Sequence, residues 1–370
     1  MKSTVRKSGV TRRGFFGTTA RVLAATKALA AVDFAMASGT VPRKIALEEH
    51  FVIPDTLKAS YGAAGSPEFQ AQLLDLGEKR IAQMDRGGVD VCILSLVGPG
   101  IQAIPETSKA VELARRANDH LAQQIRKFPK RFRGFAALPM QDPQEATKEL
   151  KRTVRELGFC GALVNGFSQA SDANSEVFYD SPAYGEFWGT VQDLDVPFYL
   201  HPRSPLPGKQ PAYQGNEWMT GSIWGFTVEA SIHALRLMGS GLFDDFPKLN
   251  MILGHLGEGL PCSIWRIDNR IARTLGARPK AKMPMGHYLR ENFYITTSGN
   301  FRTQTLSEVM LEVGADRILY SVDYPFEDMG AWRRNGSITP SFSMANGRRS
   351  GTETRRNCSG SSGRRPCVVR

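Results

Sequence analysis

The sequence predicts an α/β protein, a closed (β/α)8 barrel of the TIM-like type over residues 44–329, with extensions at both ends. Three observations predict it. The 370 residues suffice for one barrel of roughly 250 residues plus additions. Between Lys44 and Asp323, short apolar runs alternate with longer segments of helical periodicity. Polar residues able to do chemistry follow those runs, at the strand ends where barrel active sites are assembled.

Eight runs read as strands: Lys44 to Leu47, Val91 to Leu96, Phe135 to Leu138, Ala162 to Val164, Pro197 to Leu200, Met251 to Leu253, Phe293 to Thr296 and Ile318 to Ser321. Helical patterns lie between them, among them Ser108 to Lys127, Pro143 to Leu157 and Thr305 to Val313. Eight strands with helical crossovers is the count of a closed barrel. A doubly wound open sheet is the alternative, but no Gly-rich phosphate loop follows the first strand.

The formal charge of +11 raises the question of nucleic acid, and its distribution answers it. Residues 1–44 hold nine Lys/Arg against one acid, and residues 331–370 hold nine Arg against one acid. The stretch between them keeps 29 basic against 34 acidic residues, a mildly acidic domain with basic ends and no electrostatic footprint for nucleic acid. Five cysteines without CxxC spacing give neither a disulfide framework nor a zinc knuckle; Cys92 and Cys160 sit in apolar runs and read as small core residues.

The ends read differently from the body. Thr11-Arg12-Arg13-Gly14-Phe15-Phe16 precedes an Ala-rich stretch from Val22 to Ala37 that closes on Ala35-Met36-Ala37, the layout of a twin-arginine export signal over residues 1–37. Lys27 and Asp33 interrupt that stretch, so membrane insertion is not expected, and the periplasm is the predicted destination, with the cytoplasm as the alternative. From 330 to 370 Gly, Ser, Arg and Asn dominate without periodicity, a basic low-complexity tail whose composition cannot offset the entropy of ordering.

The chemistry lies at the strand ends. The first strand runs into Glu48-Glu49-His50, the fourth into Asn165, the fifth into His201-Pro202-Arg203, the sixth into His255-Leu256-Gly257-Glu258 and the eighth into Asp323-Tyr324-Pro325. In an extended strand alternate residues share a face, so Glu48 and His50 are expected to converge while Glu49 turns away. Imidazole with carboxylate suits one divalent ion such as Zn²⁺ or Mn²⁺, with Mg²⁺ as a further option, and His201 and Asp323 complete a set of two nitrogens and two oxygens. His255 and Glu258, three apart, can share a proton. His120 and His233 fall in helical patterns and His287 in a loop, and all three read as structural.

Ala46-Leu47-Glu48-Glu49-His50-Phe51, His201-Pro202-Arg203, Gly254-His255-Leu256-Gly257-Glu258 and Ser321-Val322-Asp323-Tyr324-Pro325 together resemble the decarboxylase branch of the amidohydrolase superfamily, over about residues 44 to 329 and with all four motifs in order. The resemblance implies a metal-dependent hydrolase type of barrel turned to a non-hydrolytic use. Hydrolytic members show His-x-His on the first strand and, when binuclear, a carboxylated lysine on the fourth, where this chain has Glu48-x-His50 and Asn165. It implies a carboxy-lyase acting without oxidation on an ortho-hydroxybenzoate of the 2,3-dihydroxybenzoate or γ-resorcylate type. Glu48, His50, His201 and Asp323 would hold the metal, Asp323 as a neutral acid would deliver a proton, and His255 and Glu258 would manage it. Arg266 and Asn165 would contact substrate, and a homo-oligomer, dimer or tetramer, is expected.

The same resemblance bears on the tail. Read one base earlier with permitted codons, the junctions from Trp332 to Ile338 can encode A-A-E-W-F-D and those from Gly351 to Gly360 N-G-N-A-E-K-L-F-G, strings like the terminal helices of this family. A frame slip close to Gly330 is therefore expected over a natural tail. Two rivals stand beside the decarboxylase: a metal-dependent hydrolase of the same superfamily, and an inactive truncated homologue.

Overall fold

The computed structural model describes residues 44–330 apart from 207 and 210. The export signal expected over 1–37 and the tail beyond 330 lie outside the described residues. Eight strands form: β1 Ile45–Phe51, β2 Val91–Leu96, β3 Phe132–Gly134, β4 Ala162–Asn165, β5 Phe198–His201, β6 Met251–Leu253, β7 Phe293–Thr296 and β8 Ile318–Leu319. All pair in parallel, in the orders β1-β2-β3 and β4-β5-β6-β7-β8.

Two seams close these sheets into a barrel. Ala136 bridges Ala162, and Leu47 bridges Ser321. At the second seam Leu47 N–H donates to Tyr320 O at 3.2 Å and His50 N–H to Tyr324 O at 2.7 Å. β3 begins three residues before the predicted run, because Arg131 and Arg133 flank Phe132 and hide it from an apolar count. Arg133 turns its guanidinium back to the carbonyls of Pro129 and Phe132, so its charge stays at the rim.

The crossovers are helical: α1 Pro67–Leu74 and α2 Glu78–Gly87 after β1, α3 Thr107–Lys127 after β2, α4 Pro143–Arg155 after β3 and α5 Gly185–Asp193 after β4. They continue with α6 Gly225–Gly239 after β5, α7 Leu260–Arg273 and α8 Met285–Asn292 after β6, and α9 Thr303–Val313 after β7. α4 shows why such segments start where they do: the Asp142 carboxylate accepts from the N–H groups of Gln144 and Glu145, and Pro143 fills the first turn, where its missing N–H costs nothing. His287, expected in a loop, lies in α8. Among the described residues no helix is long and apolar enough to cross a membrane.

Strand alternation sorts the side chains into two cores. Outward residues such as Cys92, Leu94, Phe198, Leu200, Met251, Leu253 and Phe293 pack against the helices. Leu47, Ile93, Phe135, Cys160, Leu163, Tyr199, Ile252 and Leu319 fill the lumen. Cys92 and Cys160 are thus both buried, as expected of small core residues. Two residues further along each strand the next inward positions are Ser95, Asn165, His201, Thr296 and Ser321: the lumen turns polar at its mouth.

Candidate metal centre

β1 cannot supply two inward ligands by plain alternation. Leu47 already faces the lumen, which would send Glu48 and His50 outward. A bulge resolves the conflict. Between Ala46 and Glu49 the register slips, three steps on β1 against two on β2, and Glu48 takes a left-handed φ of 58°. The phase shifts by one, so Glu48 and His50 enter the mouth, Glu49 turns away and Phe51 returns to the outer core. The expected convergence is present, and its cause is the bulge.

Around Glu48 the other groups assemble. His201 Nε2 stands 3.2 Å and His255 Nε2 3.5 Å from Glu48 Oε1. His50 Nε2 is 3.2 Å from Asp323 Oδ1, and His255 Nε2 is 3.7 Å from Asp323 Oδ2. The cluster contains two overlapping sets whose ligand atoms lie within 4.8 Å of one another: Glu48, His50 and His201, and Glu48, His255 and Asp323. His255 therefore belongs to the same constellation as the four predicted ligands. Its Nδ1 meets Glu258 Oε1 at 2.5 Å, and Glu258 Oε2 accepts from Thr227 Oγ1 at 3.0 Å.

The arrangement fits a cation. Glu48 Oε1 and His50 Nε2 are buried without a hydrogen bond, an expense that a shared ion would remove. Gly254 leaves the room they need: a Cβ there would lie 3.0 Å from Glu48 Oε2 and 3.2 Å from the Tyr199 hydroxyl. The remaining atoms are held in place. Tyr199 O–H donates to Glu48 Oε2 and lies 2.9 Å from Thr296 Oγ1, and Ser95 Oγ meets His50 Nδ1 at 3.2 Å.

Electrostatics distribute the protons. Burial pushes Glu48 up, but His255 and His201 outweigh it and hold the carboxylate below its ordinary range. Asp323 likewise resists the upward push of burial: the His255 and His50 imidazoles facing it bring it down to about 2. Burial lowers His255, yet Glu258 and Glu48 raise it well above an ordinary imidazole. Burial dominates at His50, which is lowered and so neutral, the form that binds metal. These directions favour the carboxylate at Asp323 and the proton on His255, the reverse of the expected neutral Asp323.

Strain concentrates here. Of seven non-glycine residues with positive φ among those described, five are Glu48, His255, Leu256, Glu258 and Asp323. Asn165 is buried beside His201 in register, with its Nδ2 donating to Leu96 O at 3.3 Å and its Oδ1 unpartnered. Arg266 is exposed on α7 beside Trp265 in sequence. Phe326 stands 5.7 Å from the His50 ring and 5.2 Å from Phe69, an aromatic wall on the open side. A cavity of about 720 Å³ opens nearby, lined by Tyr61, Pro99, Arg203 and Tyr213.

Sequence reasoning passed over Tyr199, Glu49 and Arg80. Tyr199 was legible, two residues before His201 on one strand face. Glu49 and Arg80 gave no signal, because their partners are backbone atoms: Glu49 accepts from Val322 and Tyr324 N–H, and Arg80 donates to His50 O.

A family model described as amidohydrolase matches residues 73–337. A γ-resorcylate decarboxylase of Rhizobium sp. (strain MTP-10005) is 56% identical over 290 residues, covering 77% of this chain and 89% of that protein. The crystal structure of a 2,6-dihydroxybenzoate decarboxylase complexed with 2,6-dihydroxybenzoate superposes with a TM-score of 0.78 at 54% identity, covering 81% of this chain and 95% of the other. That of a dihydroxybenzoic acid decarboxylase from Polaromonas sp. JS666, with bound manganese and the inhibitor 2-nitroresorcinol, gives 0.77 at 55% identity, covering 81% and 92%.

Proposed function

We infer the function from one premise: this chain belongs to the amidohydrolase family. Within it the chain is a metal-dependent carboxy-lyase that decarboxylates an ortho-hydroxybenzoate without oxidation. We propose γ-resorcylate (2,6-dihydroxybenzoate) as the substrate in preference to 2,3-dihydroxybenzoate, following the substrate that the relatives share. Manganese is the proposed ion in preference to zinc, following the relative that binds it. The observation that carries the reading is the convergence of Glu48, His50, His201, His255 and Asp323 around Glu48 Oε1 and His50 Nε2, both buried without a hydrogen bond.

Glu48, His50, His201 and Asp323 would hold the ion. When bound it would supply Lewis acidity to the substrate, orienting the ring and increasing its phenolate character. The protein supplies the proton. His255, charged through Glu258, passes its Nε2 proton to Asp323 Oδ2, and Asp323 delivers it to the ring carbon bearing the carboxylate. The bond to the carboxyl carbon then breaks, its electron pair restores the aromatic ring and CO₂ leaves. His255 regains a proton from solvent, so the sum is one aromatic carboxylate and one proton giving the phenol and CO₂. Asp323→Asn should keep measurable Mn²⁺ binding and lose turnover by at least about a hundredfold, the usual weight of a proton-transfer group; near-normal decarboxylation by that variant would remove Asp323 from this role.

Arg266 and Asn165 remain proposed substrate contacts, to be tested by KM in Arg266→Ala and Asn165→Ala. Assembly as a dimer or tetramer is supported by the exposed Trp218, Trp224 and Trp265, and a monomer in sedimentation equilibrium would exclude it. Export by the twin-arginine route is proposed from the sequence alone; retention of the full chain in the cytoplasm of an export-competent host argues against it. The frame slip near Gly330 is open to resequencing of the gene.

A further inference from the structure

The metal centre joins strands from opposite ends of the domain. β1 carries Glu48 and His50, Asp323 follows β8, and among the described residues one bridge pair, Leu47 with Ser321, links their ladders. Something else must set the height of Asp323 against the two β1 ligands. Glu49, between those ligands in sequence and fully buried, has its carboxylate across that seam. Its Oε1 accepts the N–H of Val322 at 3.0 Å and its Oε2 the N–H of Tyr324 at 3.1 Å, the two amides that flank Asp323.

Between those amides Asp323 holds a φ of 80°, a conformation a non-glycine residue keeps only when its surroundings impose it. A second grip acts from behind. Arg80, also fully buried, donates through Nη2 to His50 O at 2.7 Å and Gln72 O at 2.9 Å, and its guanidinium lies 5.0 Å over the Tyr324 ring. His50 N–H completes the frame on Tyr324 O at 2.7 Å. Glu49, Val322 and Tyr324, each adjoining a ligand, are thus tied to one another across the seam.

We propose that Glu49 is a positioning residue for the decarboxylation: by fixing the amides on either side of Asp323 it aims that carboxylate at the site built by Glu48 and His50, with Arg80 bracing the same junction. The inference rests on the reading of Asp323 given above. A carboxylate that merely fastened the seam would affect stability without acting through Asp323.

The test is a double-mutant cycle on the full chain, with Mn²⁺ affinity read from the electron paramagnetic resonance signal of the free ion. Glu49→Gln keeps the shape but turns an NH₂ toward one of the two amides. It should weaken Mn²⁺ binding roughly 10- to 100-fold, the range for groups that orient metal ligands. In an Asp323→Ala background it should add less than about twofold, because both changes act through one side chain. With γ-resorcylate, kcat should fall more than KM changes. Affinity within twofold of the unaltered chain, or an equal loss with and without the Asp323 carboxylate, overturns the proposal. Should Glu49→Gln fail to fold, Glu49→Asp, too short to span both amides, carries the same cycle and the same criteria. The affinity cycle needs no substrate, so failure of the decarboxylase reading would appear separately, as absent turnover in the unaltered chain.

Discussion

Glu48, His255, Glu258 and Asp323 share a left-handed backbone although none of them is glycine, and that strain is what aims their side chains inward. Residue types at strand ends announced the ligands; the angles at Glu48 and Asp323 were not legible, because no adjacent glycine marks them, whereas Gly254, Gly257 and Gly259 flank His255 and Glu258. Gly254 has a further role. A Cβ there would crowd both Glu48 oxygens, at 3.0 and 3.3 Å, so Gly254→Ala should displace the carboxylate and weaken Mn²⁺ binding roughly 10- to 100-fold, measured by titration. Arg266 is exposed on α7, and a sequence match to a family position holds no information on which face of that helix it occupies.

At the scale of elements, five of the predicted runs end within one residue of the observed strand, and β8 stops at Leu319, two residues before the predicted end. β3 starts early because arginines flank it, and β1 runs on because its polar end continues the ladder to Phe51. What the pattern missed is phase. An apolar-polar alternation fixes a register only while the backbone remains regular, and the bulge at Glu48 inserts a residue without changing composition. The seam between β8 and β1 relies on side chains as much as on a ladder, whereas β5 and β6 pair over three residues. Mn²⁺ bound between Glu48, His50 and Asp323 should therefore slow amide exchange along residues 48–51 and 321–325 far more than along β5 and β6; uniform slowing over all strands in hydrogen exchange would contradict that placement.

For the whole molecule, the barrel and the position of its mouth were readable from strand count and strand-end chemistry. The two basic ends, which supply the formal positive charge, add nothing to that reading. Because the centre ties strand ends that are far apart in sequence, the ion should stabilise the fold as a ligand of the native state: at a hundred times its Kd it contributes about 2.7 kcal/mol, worth roughly 5 °C in Tm for a domain of this size. Thermal unfolding with and without Mn²⁺ measures this, and Asp323→Ala should reduce the shift. Glu48 on β1 and Asn165 at the end of β4 stand at the positions where the resemblance gives hydrolases of the same architecture a histidine and, when binuclear, a carboxylated lysine.

Nuclear magnetic resonance of γ-resorcylate incubated with the Mn²⁺-loaded chain in D₂O tests the central claim most directly. The mechanism predicts CO₂ and resorcinol carrying one deuteron at the carbon that lost its carboxylate, with lactones and amides left intact under the same conditions. Unchanged γ-resorcylate beside a hydrolysed lactone would contradict it.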